Sequence, residues 1–235
     1  MEKSVFRFKQ FSVAHDKCAM KVNTDGVLLG AWKDVSEARR ILDVGTGTGV
    51  IALMMAQKNA VAEIHAIDID KDAYLQARKN FENSVWSNRL TSIHSSLQDF
   101  NPELKYDVII SNPPYFIDDF KTASYRRNVA KHTVALSYEE LLSGISRFLG
   151  ENGKALVVLP VFNFATFQEI AGENNLFITE MLEVTAVAGK VPYLLLLQLE
   201  HAGKEILKSS LTIQNSKENF TDEYKKLTKD FYLKF

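Results

Sequence analysis

From residue 41 onward, short apolar runs alternate with segments in which apolar residues recur at helical spacing. This alternation is typical of repeated strand, helix, strand units, which build a parallel sheet covered by helices. The connection between the last two apolar runs is too short for a helical crossover, so they should form an antiparallel hairpin. The sequence therefore predicts an α/β fold with a seven-stranded, mostly parallel sheet and an antiparallel final strand. The predicted strands cover residues 40–44, 63–68, 90–94, 106–111, 154–160, 177–184 and 193–200.

Several helices can be placed from their first residues and their periodicity. Asp70 is a predicted N-cap, Ser137 and Glu140 form a capping box, and Thr24 or Asp25 should begin a short helix before the sheet. The tail repeats apolar residues at helical spacing from residue 220 to residue 231. The predicted helices cover residues 24–33, 50–58, 71–83, 137 to about 150, and 163–173.

Length and composition predict one domain without a membrane span. The 235 residues, 46% of them hydrophobic, are enough for one sizeable core. We expect an N-terminal extension (1–40), an α/β core (41–200) and a C-terminal tail (201–235). The first residues lack a secretory pattern and the apolar runs are too short to span a bilayer, so a cytoplasmic protein is expected. One cysteine, Cys18, and scattered histidines give no disulfide and no metal-ligand spacing.

The glycine-rich stretch DVGTGTG, residues 43–49, follows the first predicted strand of the sheet. Its glycines at 45, 47 and 49 allow a tight turn whose backbone approaches a ligand closely. A dinucleotide site would need Gly or Ala where Val50 stands. The stretch resembles the first motif of the class I S-adenosylmethionine-dependent methyltransferases. In that reading Asp43 belongs to the cofactor site, and Asp68, at the end of the next strand, accepts hydrogen bonds from the ribose hydroxyls.

The stretch NPPY follows directly on the predicted strand 106–111, at the sheet edge where open α/β folds bind ligands. A planar NH₂ group is a poor nucleophile because its lone pair is delocalised. The Asn112 side-chain oxygen and the Pro113 carbonyl can accept its two hydrogens, while Pro114 stiffens the turn and Tyr115 stacks on a base. These four residues are the predicted catalytic group. Asn112 is also expected to contact the cofactor.

The NPPY motif leaves the substrate open, because it occurs in methyltransferases for adenine N6, for guanine N2 in ribosomal RNA and for protein glutamine. The glutamine enzymes carry a helical domain before the glycine loop, and about forty residues precede it here. DNA enzymes usually add a target-recognition domain, for which 235 residues leave no room, so a DNA substrate is not expected. A ribosomal RNA or protein substrate, and a cofactor-binding module without turnover, remain the alternatives.

The opening stretch FKQFSVAHDKCAMKVNTDGVLLGAW, together with DVGTGTGVIALMMAQ, ISNPPYF and the tail FTDEYKKLTKDFYLKF, resembles the bacterial tRNA1(Val) (adenine-N6)-methyltransferase family. The resemblance implies methyl transfer from S-adenosylmethionine to the adenine beside the anticodon (position 37), with S-adenosylhomocysteine as the other product. Because the sulfonium is already activated, no metal is expected, and a monomer is the default expectation. It also implies that Thr24 and Asp25 pack over the cofactor, although Asp25 could be only a helix cap. Leu97 stands where many relatives carry an acidic residue near the adenine, so a backbone contact is expected there.

The tRNA partner should meet basic residues, although the net charge is only −1. Both ends of the chain and the segment after NPPY are basic, whereas the residues between them are acidic on balance. Phosphate contacts position RNA and make its binding depend on salt. The residues expected to face RNA are Arg7, Lys9, Lys17, Arg126, Arg127 and Lys131.

Overall fold

The computed structural model describes residues 5–18, 20–113, 136–216 and 219–234. The helices within these ranges are Thr24–Trp32 (α1), Val50–Lys58 (α2), Lys71–Glu82 (α3), Tyr138–Phe148 (α4), Phe164–Glu173 (α5) and Asp222–Thr228 (α6). The strands are Val5–Arg7 (β1), Ser12–Ala14 (β2), Arg40–Val44 (β3), Glu63–Asp68 (β4), Leu90–His94 (β5), Tyr106–Ser111 (β6), Leu149–Pro160 (β7), Phe177–Val187 (β8), Leu194–Glu200 (β9) and Leu207–Gln214 (β10). Short 3₁₀ turns cover Ser87–Arg89 and Val161–Asn163.

Eight strands form the central sheet, in the order β10-β8-β9-β7-β6-β3-β4-β5. All neighbouring pairs are parallel except those of β9, which runs antiparallel to β7 and to β8. The α/β fold and the antiparallel hairpin are therefore as the sequence predicts. The carboxyl ends of the parallel strands all lie at one edge of the sheet, which is called the carboxyl edge below.

The expected count of seven strands, with the antiparallel strand last, is wrong. β10 adds an eighth strand within the segment expected to be only a tail, and it pairs parallel with β8. Only Leu211 and Ile213 of this strand are buried, while Leu207 and its neighbours are exposed at the sheet edge. An edge strand with so little burial lacks the apolar alternation by which strands are recognised.

The helices cover the sheet in two layers with separate hydrophobic clusters. Alternate strand residues face opposite layers, so Ile110 packs in the cluster with α1, α2 and α3, while Ile109 packs in the cluster with α4 and α5. Both faces of the central strands are therefore buried, which explains their continuous apolar runs.

Helix α1 begins at Thr24, as the sequence predicts, and its N-cap is Asn23, whose side chain accepts a hydrogen bond from the Gly26 N–H. The tail helix is shorter than its apolar spacing predicts, because Thr221 caps α6 and the helix ends at Thr228. The predicted caps of α3 and α4, Asp70 and the Ser137 capping box, are confirmed.

Strands β1 and β2 form an antiparallel hairpin outside the main sheet. The hairpin packs against the C-terminal segment: Phe8 forms an isolated antiparallel bridge with Tyr232, and the Lys9 N–H donates to the Phe231 carbonyl at 2.8 Å. The rings of Phe8 and Tyr232 stack with centroids 6.1 Å apart. The two ends of the described chain thus hold each other against the α1, α2, α3 layer.

Candidate active site

The glycine loop between β3 and α2 is fixed to the end of β4 by backbone hydrogen bonds. The N–H groups of Gly45 and Thr46 both donate to the Ile67 carbonyl at 3.0 Å, and the Gly47 N–H donates to Asp68 Oδ2 at 2.8 Å. The backbone of the loop is therefore held before any ligand arrives, which lowers the cost of ordering it on binding.

Two glycines of this loop serve different purposes. Gly47 has a φ of +55°, and no atom lies within 4 Å of the position that a Cβ would take, so the loop stays open toward the cavity. Gly49 has a φ of +80°, and a Cβ there would lie 2.5 Å from Phe81 Cε1 of α3. Gly49 is thus required by close packing, whereas Gly47 leaves room for a ligand.

Asp43 lies beneath the loop and not in the cavity. Only 1% of its surface is exposed, and its Oδ2 accepts a hydrogen bond from the Thr46 hydroxyl at 2.6 Å. Burial raises the pKa of Asp43 to about 7, although hydrogen bonds from Thr46 and the Ala52 N–H favour the ionised form. Its position indicates a role in shaping the loop.

Asp68 lines the cavity at the end of β4. Its two carboxylate oxygens each accept one backbone hydrogen bond, Oδ2 from Gly47 and Oδ1 from Asp70 at 2.9 Å. Burial raises the pKa of Asp68, while these two hydrogen bonds work in the opposite direction. A carboxylate oxygen can accept more than one hydrogen bond, so Asp68 retains acceptor capacity for a ligand.

Asn112 and Pro113 follow β6 and line the same cavity as the glycine loop and Asp68. The preceding Ser111 hydroxyl donates to the Val44 carbonyl at 2.9 Å, which ties the end of β6 to the end of β3. Pro114 and Tyr115, the other half of the predicted catalytic motif, lie outside the described residues. The cavity has a volume of about 240 Å³.

The first turn of α1 closes one side of this cavity. Asn23 and Gly26 line it, and a Cβ on Gly26 would lie 3.6 Å from Asn112 Nδ2, so the helix passes close to the acceptor motif. At the other end of α1, the Lys58 ammonium donates to the carbonyls of Gly30, Ala31 and Lys33. Both ends of this short helix are therefore capped by side chains.

Thr24 and Asp25, predicted to pack over the cofactor, are not among the described residues that line the cavity. Asp25 Oδ1 lies 3.5 Å from the hydroxyl of Tyr193, just before β9. The cavity side of this turn is instead formed by Asn23 and Gly26.

Leu97 lines the cavity after β5, and its side chain is buried against α4. A Cβ on Gly144 would lie 2.4 Å from Leu97 Cδ2, so the two residues are in close contact. Asp99 does not line the cavity and accepts a hydrogen bond from the Ser96 hydroxyl at 2.7 Å.

Sequence reasoning did not single out the segment before α1 as part of the cavity. Cys18, Met20 and Lys21 line it, as does Leu136 before α4. Burial, with smaller contributions from Asp68 and other carboxylates, raises the pKa of Cys18 to about 12, so its thiol stays protonated at neutral pH. A lone cysteine in a polar stretch carries no pattern that would have placed it here.

The basic residues predicted to face RNA fall into two groups. Arg7, Lys9 and Lys17 are exposed, but the Lys9 ammonium donates to the Lys229 carbonyl at 2.6 Å, so it also holds the hairpin to the C-terminal segment. Arg126, Arg127 and Lys131 lie outside the described residues.

Within the described part of the chain, the helices fall short of the length and hydropathy needed to cross a membrane.

The strand order, with β9 antiparallel and the glycine loop after β3, is that of the class I methyltransferase fold. A predicted O-methyltransferase from Agrobacterium tumefaciens has this fold as well: it superposes with a TM-score of 0.68 at 16% identity, over 88% of this chain and 96% of that one. This likeness supports the fold alone.

The sequence is similar to the methyltransferase small domain family, whose family model matches residues 24–162. Two curated relatives, both tRNA1(Val) (adenine(37)-N6)-methyltransferases, match over the full length of both chains. The protein from Bacteroides fragilis is 45% identical and that from Parabacteroides distasonis is 44% identical. The chain therefore belongs to the methyltransferase small domain family and, within it, to the family of these tRNA1(Val) (adenine(37)-N6)-methyltransferases.

Proposed function

We propose that this protein transfers the methyl group of S-adenosylmethionine to N6 of adenine 37 in tRNA1(Val). The observation that carries the proposal is that Asn112 and Pro113 open into the same cavity as the glycine loop and Asp68. A donor held by the loop would therefore meet an acceptor held by Asn112. The activity of the full-length relatives supports the choice of tRNA and of the N6 atom.

The residues of the cavity fit S-adenosylmethionine. Gly45 and Gly47, both at positive φ, leave open space where side chains would otherwise stand, so a ligand can lie directly against the loop backbone. Asp68 retains acceptor capacity for ribose hydroxyl hydrogens, and Leu97, for which a backbone contact with the adenine is expected, lines the same cavity. When bound, the cofactor supplies a methyl group that is already activated by its positive sulfonium.

Asn112 and Pro113 act on the acceptor nitrogen. Their carbonyl oxygens accept the two hydrogens of the adenine amino group, which pulls the nitrogen toward tetrahedral geometry and directs its lone pair into the cavity. Attack by the nitrogen on the methyl carbon would break the bond from that carbon to sulfur and leave S-adenosylhomocysteine. Positive charge grows on the nitrogen during the attack, and these preorganised oxygens stabilise that charge. After transfer the nitrogen carries one proton too many, which leaves to water. Tyr115 would stack on the flipped base.

RNA would approach the carboxyl edge of the sheet, where the cavity opens. Arg7 and Lys17 on the N-terminal segment and Arg126, Arg127 and Lys131 after the NPPY motif supply positive charge for phosphate contacts. Each such contact adds to the salt dependence of binding, so the KM for tRNA should rise steeply with salt. The KM for the cofactor should change little.

The proposal is tested by offering the purified protein labelled S-adenosylmethionine with total tRNA, ribosomal RNA and a release factor in parallel, followed by nucleoside analysis. Label recovered as N6-methyladenosine in tRNA supports the proposal, and mapping the nucleotide then tests position 37. Label in ribosomal RNA or protein would overturn the substrate and keep the chemistry. Cofactor binding without label in any substrate would indicate a binding module.

A further inference from the structure

A patch of exposed apolar side chains lies at the carboxyl edge, beside the ends of β7, which pairs with β6, and of β9, which pairs with β7. Pro160, the last residue of β7, pairs with Leu194, the first residue of β9. The Val161 N–H donates to the Tyr193 carbonyl at 3.2 Å, so the turn after β7 and the turn before β9 adjoin. These two turns expose 66% of Phe162, 82% of Val191 and 39% of Tyr193.

The patch stands beyond the acceptor motif on the same edge of the sheet. Ser111, at the end of β6, pairs with Val157 of β7. Strand β7 continues three residues further, to Pro160, which is about 10 Å along a strand. Strand β7 therefore extends beyond Asn112, and Phe162 and Tyr193 lie next to the end of that extension.

Tyr193 also reaches toward the rim of the cavity. Its hydroxyl lies 3.5 Å from Asp25 Oδ1 in the first turn of α1, the turn in which Gly26 approaches Asn112. Tyr193 thus joins the exposed patch to the helix that closes one side of the cavity.

The turn from β8 to β9 presents Val191 and Tyr193 on a fixed backbone. Three hydrogen bonds hold it: Ala188 N–H to the Gln214 carbonyl at 2.9 Å, Lys190 N–H to the Val187 carbonyl at 3.1 Å, and Tyr193 N–H to the Val184 carbonyl at 2.9 Å. Residues 188–193 include one cation, Lys190, which is exposed, and no acidic residue. Aromatic rings beside a cation on a rigid backbone suit unpaired nucleotides better than an apolar partner.

We propose that Phe162 and Tyr193 form a stacking platform for unpaired nucleotides of the RNA substrate next to the methylated base, with Lys190 at their phosphates. The inference rests on the proposed function and specifies how that site would read its substrate. A base removed from its stack for reaction at Asn112 leaves neighbours that have lost a stacking partner. Rings beyond the acceptor motif replace that partner.

The test compares Phe162→Ala and Tyr193→Ala with Phe177→Ala, using an unmodified tRNA1(Val) transcript. Phe177 is 43% exposed and begins β8 at the opposite edge of the sheet, so it controls for loss of an exposed ring. Each platform variant should raise the KM for the transcript by about fivefold or more. Its cofactor Kd and unfolding midpoint should match those of Phe177→Ala.

Tyr193→Phe separates the ring from the hydroxyl that contacts Asp25. This variant should behave like the unchanged protein, because it keeps the stacking surface. An effect as large as that of Tyr193→Ala would overturn the stacking role and assign the residue to the hydrogen bond. Abasic nucleotides beside the target adenine sharpen the test, since they should remove most of the effect of Phe162→Ala.

The outcomes distinguish the platform from the proposed function. If the unchanged protein methylates the transcript but Phe162→Ala and Tyr193→Ala behave like Phe177→Ala, the platform is wrong and the proposed function stands. If the variants lose cofactor affinity as much as tRNA affinity, the patch is structural and the platform is again wrong. If the unchanged protein methylates no tRNA, the proposed function fails, and the platform with it.

Discussion

The two halves of the cavity are held in different ways. In the cofactor half, the glycine loop is fixed by hydrogen bonds from its own backbone to Ile67 and Asp68, the last two residues of the neighbouring strand β4. In the acceptor half, the cavity wall beside Asn112 includes residues from distant parts of the chain, such as Asn23 and Leu136. A substitution in the first half should therefore disturb the fold and the donor together. A substitution in the second half should change the reaction with little effect on the fold.

The largest effect is expected from Asn112→Ala in the acceptor half. Loss of one preorganised acceptor of the developing charge should lower kcat by about 100-fold or more. The free energy of unfolding and most of the cofactor affinity should remain, as measured by urea denaturation and calorimetry. Asn83→Ala is the matched control, because Asn83 is exposed and its amide only donates within its own helix, to the Lys79 carbonyl. Normal turnover by Asn112→Ala would contradict the mechanism.

A pair of glycine substitutions compares packing with ligand access inside the cofactor half. Gly49→Ala should lower the free energy of unfolding by about 2–4 kcal/mol, because it adds left-handed strain to overpacking against Phe81. Gly47→Ala meets no protein atom, so it should cost about 1 kcal/mol of strain while weakening cofactor binding more than its stability loss implies. Urea denaturation and cofactor titration of both variants give the comparison. Equal losses of stability would show that Phe81 moves aside at no cost.

Asp68→Asn tests the carboxylate that joins the loop to the cavity. The variant keeps one oxygen acceptor but places an NH₂ group in place of the other, so cofactor Kd should rise roughly 10- to 100-fold. Asp99→Asn is the control, since Asp99 faces Ser96 and not the cavity. Equal Kd changes in the two variants would remove Asp68 from the donor site.

The smallest effect is a change in the pH dependence of stability at Asp43. Its folded-state pKa, raised to about 7 by burial, lies above the ordinary value of 3.8. The carboxyl therefore contributes stability that is fully present below pH 3.8 and is lost as the pH rises through about 7. Between pH 6 and pH 7, the unchanged protein should lose about 1 kcal/mol relative to Asp43→Asn, which keeps the acceptor for Thr46. A difference that stays constant with pH, measured by urea denaturation, would show that Asp43 ionises normally in the folded chain.

The same contrast explains what the sequence could predict. The glycine loop, Asp68 and the start of the NPPY motif are local patterns that follow buried strands, and the structure brings their described residues into one cavity. The direction of Asp25 depends on Tyr193, which is 168 positions away along the chain, so no local pattern specifies it. The sequence predicted the start of α1 but did not specify its N-cap, because three adjacent residues, Asn23 to Asp25, can all cap a helix and only the folded backbone selects one. The eighth strand was missed because its stability comes from pairing with β8 more than from its own burial.

The contact between the two ends of the chain also sets an order of events during synthesis. The hairpin at residues 5–14 leaves the ribosome first, but the partners of Lys9 and Phe8 are Lys229, Phe231 and Tyr232. These contacts, which join residues at least 220 positions apart, cannot form until the segment with Lys229, Phe231 and Tyr232 has been translated. Until then Phe8 lacks the ring of Tyr232 on which it stacks, so the hairpin reaches its final packing only late in synthesis.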